Sequence, residues 1–388
     1  MALNKNYNAR LKPITYKGLC GDPEIVDEAK VLVEKVKRLR TLFLRSKHTV
    51  VFTGAGISTS CGIPDFRGPN GVWTKEQRGE TSQEEGNDVN TFDTAQPSFT
   101  HYAIACLLHA GVIKHVVSQN VDGLHLRSGV PEKDLSELHG NIFKEYCEDC
   151  QKEYIRERDV GGMGKNYTGR RCEVQGCGGK LRDMAIDWDT DLPEAIFDRA
   201  HAEIDQADLL ICLGTSLRIR PAGNMPLRVL RPKKLRSTSE VGELCIVNLQ
   251  KTHLDKKATV RVNHYCDEVM RRLCVQIGVS LKLPADFSSG DIGNSYSIRE
   301  NSAIYKRMKK TNIAVTNTIS VSADVPVKLS QTKKSNKRKT ATVNIPVVDL
   351  ATTISTTTAT TSNKKARTGK VKQSAAVKPN KDEGELYW

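Results

Sequence analysis

Four cysteines near the middle of the chain have the type and spacing of metal ligands. Cys147 and Cys150 are separated by two residues, and after a further 21 residues Cys172 and Cys177 are separated by four. Paired cysteine knuckles of this kind are typical of tetrahedral Zn²⁺ sites. Because four thiolates leave no open coordination position, the spacing predicts one structural Zn²⁺ ion and not a catalytic metal.

A glycine turn, Gly54-Ala55-Gly56, follows a short apolar run and could approach a phosphate. Glycines let a backbone come close to a pyrophosphate, whose charge is met by N–H groups at the start of a following helix. The next glycine is Gly62, so the spacing is not GxGxxG, and a tight turn that binds nothing is about equally compatible with it. A dehydrogenase would also need an acidic residue at the end of a second strand, but residues 73–78 are polar and not strand-like.

Polar residues also follow other predicted elements. The stiff loop 62–69 contains Asp-Phe-Arg, and Gln119, Asn120 and Asp122 come directly after an apolar run. Ligands in open α/β sheets bind beyond the carboxyl ends of the strands, so we expect these groups to share one crevice. The loop 62–69 could equally be a surface loop that is held by salt bridges and binds no ligand. His139 lies nearby in sequence, although a lone histidine more often packs or caps than catalyses.

Short, nearly continuous apolar runs predict the strands that position these residues. The runs are residues 49–52, 116–118, 209–213 and 244–247. Such runs are typical of strands buried on both faces of a parallel sheet, and helix-like stretches separate them. One predicted helix begins after Asp27 as its N-cap. The pattern predicts an α/β fold, a Rossmann-like doubly wound parallel sheet. Residues 145–180, which are rich in cysteine and glycine, are predicted to be a small inserted zinc-ribbon module with four cysteine ligands.

The positive charge lies in the C-terminal part of the chain. The 388 residues carry a net charge of +14, but residues 301–388 contain 17 Lys and Arg against 5 Asp and Glu, which is +12. The first 300 residues therefore carry only +2, which disfavours a fold whose whole surface binds nucleic acid. We expect residues 283–388 to form a disordered basic tail. No apolar run of about 18 residues predicts a membrane span, and no secretory leader is expected.

These boundaries divide the sequence into an N-terminal extension, an α/β domain in two segments, the cysteine module and the tail. The predicted ranges are 1–26, 27–144 with 181–282, 145–180 and 283–388.

In order and spacing, these motifs together resemble the sirtuins, which are NAD-dependent protein deacylases. The similarity covers about residues 18–280 and rests on the four cysteines and on the strings at 54–58, 62–67, 119–125, 138–141, 214–216 and 246–250. Residues 68–74 and 219–224 are similar to the nuclear, chromatin-associated branch, nearest sirtuin six, although 68–74 is equally similar to sirtuin seven.

The resemblance implies a role for each matching residue. His139 is expected to be the general base, and Asn120 is expected to hold the nicotinamide carboxamide together with Asp122. The implied NAD-binding residues are Ala55, Thr59, Phe66, Arg67, Trp73, Gln119, Asp122, Gly214, Ser216, Asn248, Gln250 and Cys266. With His139 near its ordinary pKa, the base would activate a ribose hydroxyl after acyl-lysine has displaced nicotinamide.

The resemblance implies removal of acyl groups from lysine, with release of nicotinamide and O-acyl-ADP-ribose, and also the possibility of mono-ADP-ribosyl transfer. The implied cofactors are NAD as co-substrate and one structural Zn²⁺. The implied partners are acyl-lysine proteins such as histone tails, and nucleosomal DNA bound through the basic tail. The implied location is the nucleus. The competing interpretation is a chromatin-binding module that senses NAD or ADP-ribose with little catalysis.

The sequence departs from the branch at a few positions. Cys61 stands where similar sequences have a small residue such as serine, and Cys266 stands where sirtuin six has valine. The polar stretch 80–90 is longer than expected. Because Cys61 is close to the expected cofactor, it is expected to add sensitivity to oxidation.

Overall fold

The strands of the protein form one large parallel sheet and several small sheets. The structure is a computed structural model and describes residues 10–14, 17–80, 92–232, 241–281, 296–310 and 386–387. The strands are β1 Thr49–Thr53, β2 Ile113–Ser118, β3 Leu135–Glu137, β4 Lys144–Cys147, β5 Glu153–Ile155, β6 Tyr167–Arg171, β7 Lys180–Asp183, β8 Leu209–Leu213, β9 Ile219–Arg220, β10 Glu243–Val247, β11 Val260–Val262, β12 Val279–Leu281, β13 Tyr296–Ile298 and β14 Leu386–Tyr387. The helices are α1 Ala29–Arg45, α2 Val72–Gln77, α3 Phe99–His109, α4 Leu124–Arg127, α5 Glu194–Gln206, α6 Cys266–Ile277 and α7 Ala303–Lys310.

The large sheet has six parallel strands in the order β11-β10-β8-β1-β2-β3. From β1 the chain builds outward to β2 and β3, then returns to place β8 on the other side of β1 and continues to β10 and β11. The strand order therefore reverses between β1 and β8. At such a switch point the connections leave in opposite directions, which opens a crevice beyond the carboxyl ends of the strands. The predicted doubly wound α/β fold is confirmed.

Helices cover both faces of this sheet because alternate strand residues point to opposite sides. Val51 packs with α1, α3 and α6, whereas Val50 and Phe52 pack with α5 and the 3₁₀ helix Ala222–Leu230. Each strand therefore buries both of its faces, which explains its nearly continuous apolar sequence.

Helix α1 begins at Ala29, so the predicted N-cap at Asp27 was wrong. The Asp27 carboxylate instead accepts a hydrogen bond from the Asn263 backbone N–H at 2.8 Å and pairs with Lys35 at 2.5 Å. This residue therefore ties the entrance of α1 to the segment after β11. Among the described residues, no helix is long and apolar enough to span a membrane.

Part of the segment expected to be a disordered tail is folded, so that expectation was wrong for residues 296–310. β13 pairs with β12 in antiparallel fashion, and α7 follows it. Ile298, Ile304 and Met308 are buried in the core beside α1 and α6. Ile304 and Met308 are four residues apart and so share one helix face. The sequence analysis did not recognise this apolar spacing because basic residues lie between and after the two. Of the rest of the predicted tail, residues 283–295, 311–385 and 388 lie outside the described residues, and β14 pairs with β9 in parallel.

The inserted module is an antiparallel sheet in the order β5-β4-β7-β6, and it extends from Lys144 to Asp183. Glu145 on β4 is fully buried and accepts hydrogen bonds from Arg156 Nε at 2.6 Å and Arg170 Nε at 2.8 Å. Its carboxylate also accepts a hydrogen bond from Thr168 Oγ1 at 2.6 Å. Because these partners come from different parts of the module, one buried carboxylate links its strands.

The four predicted ligands come together at one end of this module. The Sγ atoms of Cys147, Cys150, Cys172 and Cys177 all lie within 4.8 Å of one another. Cys147 Sγ is 3.6 Å from Cys177 Sγ, and Cys150 Sγ is 3.5 Å from Cys172 Sγ. A tetrahedral Zn²⁺ ion with Zn–S distances of about 2.3 Å separates its sulfurs by about 3.8 Å. The cluster therefore fits a structural Zn²⁺ ion.

Replacing Cys172 with serine is expected to abolish binding of the one zinc ion per chain and to unfold the module, because structural zinc binding is coupled to folding. Elemental analysis and thermal melting measure the two effects. Cys20→Ser, at a half-buried cysteine outside the cluster, is the control and is expected to keep its zinc. Native protein that contains no zinc, or Cys172→Ser protein with unchanged melting, would contradict the assignment.

Candidate functional site

The ends of β1 and β8 meet through glycine backbone. The Gly54 N–H donates to Leu213 O at 3.1 Å, and the Gly56 N–H donates to Gly214 O at 2.8 Å. A Cβ atom on Gly214 would lie 2.6 Å from the carbonyl carbon of Gly56, and Gly214 also has a φ of +60°. No side chain fits at this junction, so the floor of the crevice is bare backbone that a phosphate could approach.

The turn after β1 differs from the long helix of a dehydrogenase fingerprint. Two short 3₁₀ turns, Ala55–Ile57 and Thr59–Cys61, replace that helix. Ala55 is half-buried, and Thr59 is exposed with its hydroxyl 3.3 Å from Gly56 O. Both residues therefore lie at the rim of the crevice, as expected of groups that contact a bound nucleotide.

The end of β2 is joined to this floor by side-chain amides. Gln119 Nε2 donates to Thr215 Oγ1 at 2.7 Å, which bridges β2 to the turn after β8. Asn120 Nδ2 donates to Gly54 O at 3.2 Å, and it also lies 3.3 Å from Ser58 Oγ. The three central strands therefore share one connected set of hydrogen bonds at their carboxyl ends.

A buried carboxyl lies beside Asn120. Asp122 accepts hydrogen bonds from Ser58 Oγ at 2.7 Å and from the Leu124 backbone N–H at 3.0 Å. Burial raises the pKa of the Asp122 carboxyl, and these two hydrogen bonds oppose that shift. Asn120 and Asp122 thus present an amide and a carboxyl held by one serine, a pair suited to binding a carboxamide.

His139 follows β3 and points toward the same strand end. Its Nδ1–H donates to Gln119 O at 2.8 Å, which leaves the basic lone pair on Nε2. Burial lowers the pKa of His139 to about 4, so the expectation of an ordinary pKa was wrong. The histidine is therefore neutral near pH 7, the form that a general base requires.

The residue after His139 must be glycine. Gly140 has a φ of +76°, and a Cβ atom there would lie 1.8 Å from Met184 O. This close approach lets the Ile186 N–H donate to His139 O at 3.2 Å. The backbone of His139 is thereby held between the end of β3 and the segment that leaves the cysteine module.

The loop carrying Phe66 and Arg67 folds over the crevice. Arg67 Nε donates to Lys17 O at 3.0 Å, and its guanidinium lies 4.4 Å from the centroid of the Trp73 ring. The Phe66 and Trp73 ring centroids are 4.8 Å apart. Burial lowers the pKa of Arg67 to about 10, so the group stays charged at neutral pH. Its Nη2 is buried without a hydrogen-bond partner among the described residues, which fits an anionic ligand.

The remaining predicted nucleotide contacts lie at the ends of β8 and β10. Ser216 is half-buried, and Asn248 Nδ2 donates to Gln250 O at 2.9 Å. Gln250 Nε2 donates to Arg67 O at 3.2 Å and to Asp22 O at 2.7 Å, so this amide supports the Arg67 loop. The structure thus brings the predicted nucleotide-binding residues to one edge of the sheet, whereas the four zinc-binding cysteines belong to a separate sheet.

Neither cysteine near the crevice has the character of a reactive thiolate. Burial raises the pKa of Cys61 to about 12, with Asp122 and Asp267 adding to the shift. Because oxidation proceeds through the thiolate, this shift disfavours the expected sensitivity of Cys61 to oxidation. Cys266 begins α6 with its Sγ 3.8 Å from Val247 O, and burial raises its pKa to about 12.

Three residues of the site were missed by the sequence analysis. Ser58 joins Asn120 to Asp122, Thr215 receives the Gln119 amide, and the Trp188 ring centroid is 5.7 Å from that of Trp73. Ser58 and Thr215 were visible as hydroxyls at the strand ends. No sequence pattern pointed to Trp188 as a site residue, because its position depends on how the segment after β7 returns to the large sheet.

Comparison with known proteins identifies the family. Residues 54–221 match the model of the Sir2 family. The NAD-dependent protein deacetylase SRT1 of Arabidopsis thaliana is 46% identical over 73% of this chain and 57% of its own length. The NAD-dependent protein deacetylase Sirt6 of Drosophila melanogaster is 42% identical over 71% of this chain and 86% of its own length. The chain thus spans little more than half of the plant relative but most of the insect one.

Sirtuin-7 of Homo sapiens, also named an NAD-dependent protein deacetylase, is 38% identical over 68% of this chain and 64% of its own length. A solved structure described as Sir2–p53 peptide–NAD⁺ is 31% identical over 62% of this chain and 98% of that chain, with a TM-score of 0.47. The motifs predicted a sirtuin of the branch that contains sirtuin six and seven, and the relatives include both types. The chain belongs to the Sir2 family, the sirtuins.

Proposed function

We propose that this chain is an NAD-dependent protein-lysine deacetylase that also removes longer acyl groups, and that it acts on histones or other chromatin proteins. The observation that carries this proposal is a neutral His139, fixed through Nδ1 by Gln119 O and adjacent to the buried Asn120 and Asp122. A base with its lone pair on Nε2, next to a carboxamide-binding pair, suits chemistry at a nicotinamide ribose.

The crevice has features that fit NAD. The buried, charged Arg67 has an unpartnered nitrogen among the described residues, and the Gly56–Gly214 junction leaves no side chain in the way of a pyrophosphate. Arg67 and the turn at Ala55 and Thr59 would hold the phosphates and nearby ribose. Ser216, Asn248 and Gln250, which follow β8 and β10, would lie toward the adenosine, together with Cys266 at the start of α6.

When bound, NAD supplies an electrophilic ribose carbon, from which nicotinamide is the leaving group. Asn120 and Asp122 would orient the carboxamide, while Gln119 and the rings of Phe66 and Trp73 would enclose the ribose. His139 Nε2 would accept a proton from a ribose hydroxyl. With water consumed in releasing the lysine amine, the products would be deacylated lysine, nicotinamide and O-acyl-ADP-ribose. Attack by another nucleophile at the same ribose carbon would give mono-ADP-ribosyl transfer.

The alternative function is a chromatin-binding module that senses NAD or ADP-ribose with little catalysis. Such a module needs the nucleotide pocket but not a base. The fixed tautomer of His139 favours catalysis over sensing, because nucleotide binding alone does not require an imidazole whose Nε2 is held as a proton acceptor.

Replacing His139 with alanine is expected to lower the rate of O-acyl-ADP-ribose formation by about 10²- to 10⁴-fold, the usual contribution of a general base. Mass spectrometry of histone peptides carrying acetyl or long acyl groups, with and without NAD, measures the rate and the acyl preference. His109→Ala, at an exposed position on α3, is the control and is expected to keep the wild-type rate.

The pH profile separates this base from an ordinary histidine. Because the lowered pKa favours the neutral form, kcat/KM is expected to stay level as the pH falls from 8 to 5 and to decline only toward pH 4. A decline centred near pH 6.5, or wild-type turnover in His139→Ala, would contradict the assignment. NAD binding without turnover in the wild-type chain would favour the sensing alternative.

We further propose that the basic C-terminal segment directs the chain to the nucleus and binds nucleosomal DNA. Residues 311–388 hold 13 Lys and Arg against 5 Asp and Glu, with dense clusters at 333–339 and 364–367. Each lysine or arginine that pairs with a phosphate releases a counterion, so binding would weaken steeply with salt. Sequence preference would be weak, because contacts to phosphates do not read base edges.

Truncation after residue 310 is expected to reduce nucleosome affinity and flatten its salt dependence, while keeping α7 in the core. Measuring affinity at two salt concentrations, together with nuclear imaging, tests this. Deletion of residues 352–362 removes no charge and serves as the control. Equal affinity and unchanged nuclear location after truncation would show that the clusters are only solvated charge.

A further inference from the structure

A tyrosine hydroxyl lies against one of the four cysteine sulfurs of the inserted module. Tyr154 is on β5, and its Oη is 3.1 Å from Cys172 Sγ. Tyr154 follows the first pair of cysteines in the chain and is not itself one of the predicted zinc ligands. The contact therefore joins β5 to the second pair of cysteines.

The second partner of the hydroxyl determines the direction of this contact. The Glu173 backbone N–H donates to Tyr154 Oη at 2.9 Å. An N–H group can only donate, so Oη accepts there and keeps its own proton for another partner. A thiolate that binds Zn²⁺ has no proton and can only accept. The hydroxyl proton of Tyr154 is therefore directed to Cys172 Sγ.

Contacts of the Tyr154 ring hold the hydroxyl in this position. The ring packs against the small core of the module, which includes Cys172 and Leu181. The Arg156 guanidinium lies 4.7 Å from the ring centroid, a distance typical of a cation–π contact. Arg156 Nε in turn donates to the buried Glu145 at 2.6 Å. Because these contacts involve the ring and not the hydroxyl, a phenylalanine at this position would keep them.

The charge of the cluster gives the hydroxyl a role. Four thiolates around one Zn²⁺ ion carry more negative charge than the ion neutralises, and Cys147 and Cys172 are buried away from water. A hydrogen bond to an ionised acceptor is stronger than one between neutral groups, and it stabilises the charged form of that acceptor. The Tyr154 hydroxyl thus stabilises the form of Cys172 that binds a metal.

We propose that Tyr154 is a positioning residue of the zinc centre, and that its hydroxyl donates to the Cys172 thiolate and slows the release of Zn²⁺. Because Glu173 directly follows Cys172, the two hydrogen bonds close a loop between this cysteine and β5. The loop resists movement of Cys172 away from the ion. This role is separate from the proposed deacetylase activity.

Release of zinc to a chelator from the full-length, zinc-loaded chain measures this role. We expect Tyr154→Phe to weaken zinc binding by about 10- to 100-fold, the usual effect of losing a hydrogen bond to a metal ligand. Tyr167→Phe is the matched control and is expected to keep the wild-type affinity, since the Tyr167 hydroxyl donates to Glu148 Oε2 at 2.8 Å in the same sheet. Equal affinity in the wild type and Tyr154→Phe, or an equal loss in both variants, would overturn the proposal.

Co²⁺ in place of Zn²⁺ reports the hydrogen bond itself. A hydrogen bond lowers the energy of the sulfur lone pair, so its loss moves the sulfur-to-cobalt charge-transfer band to lower energy. We expect this shift in Tyr154→Phe and no shift in Tyr167→Phe. A band at the wild-type position in Tyr154→Phe would contradict the proposal, because a purely structural role of the ring leaves the electrons of the sulfur unchanged.

A fluorinated tyrosine at position 154 tests the same bond without removing it. One ring fluorine beside the hydroxyl makes the hydroxyl a stronger donor, so we expect the band to move to higher energy and zinc release to slow. Damage to the fold would instead speed the release. This measurement decides if Tyr154→Phe fails to fold. A band that stays in place, or a wild-type chain that binds no metal, would count against the proposal, whether or not the chain proves to be a deacetylase.

Discussion

The backbone of Gly56 and the backbone of Gly214 touch where β1 and β8 end, and the rest of the site depends on this contact. It closes the floor of the crevice at the point where the strand order reverses. Because the floor contains no side chains, functional groups enter from the neighbouring strand ends. Gln119 reaches across from β2 to Thr215, and Asn120 reaches Gly54. The position of His139 depends on the same strand end through Gln119 O.

Burial at this junction sets the chemistry of the side chains. It raises the pKa of Asp122, lowers the pKa of His139 to about 4 and lowers the pKa of Arg67 to about 10. The histidine is therefore a base across the physiological range, while the arginine remains a cation for an anionic ligand. These shifts come mainly from packing and not from neighbouring charges, so they depend on how closely the strand ends approach.

Much of the fold could be predicted from the sequence, because strands buried on both faces have nearly continuous apolar runs and cysteine spacing is specific. The prediction of an ordinary pKa for His139 was wrong because burial depends on residues distant in the chain, such as Met184 and Ile186. Residues 296–310 were misassigned because two apolar residues among basic ones are a weak local signal. They become a core element only when α1 and α6 provide the surface that buries them.

The junction itself can be tested with two glycines that share a positive φ. Gly214 has a φ of +60° and no space for a Cβ atom, whereas Gly79 has a φ of +74° and nothing within 4 Å of that position. The NAD affinity measured by calorimetry should therefore fall about tenfold or more in Gly214→Ala, because a steric clash of the Cβ atom adds to the backbone strain of the positive φ. In Gly79→Ala, which has the strain without the clash, the NAD affinity should stay near that of the wild type. Zinc content should be unchanged in both variants. Wild-type NAD affinity in folded Gly214→Ala would contradict the claim that this contact forms the site.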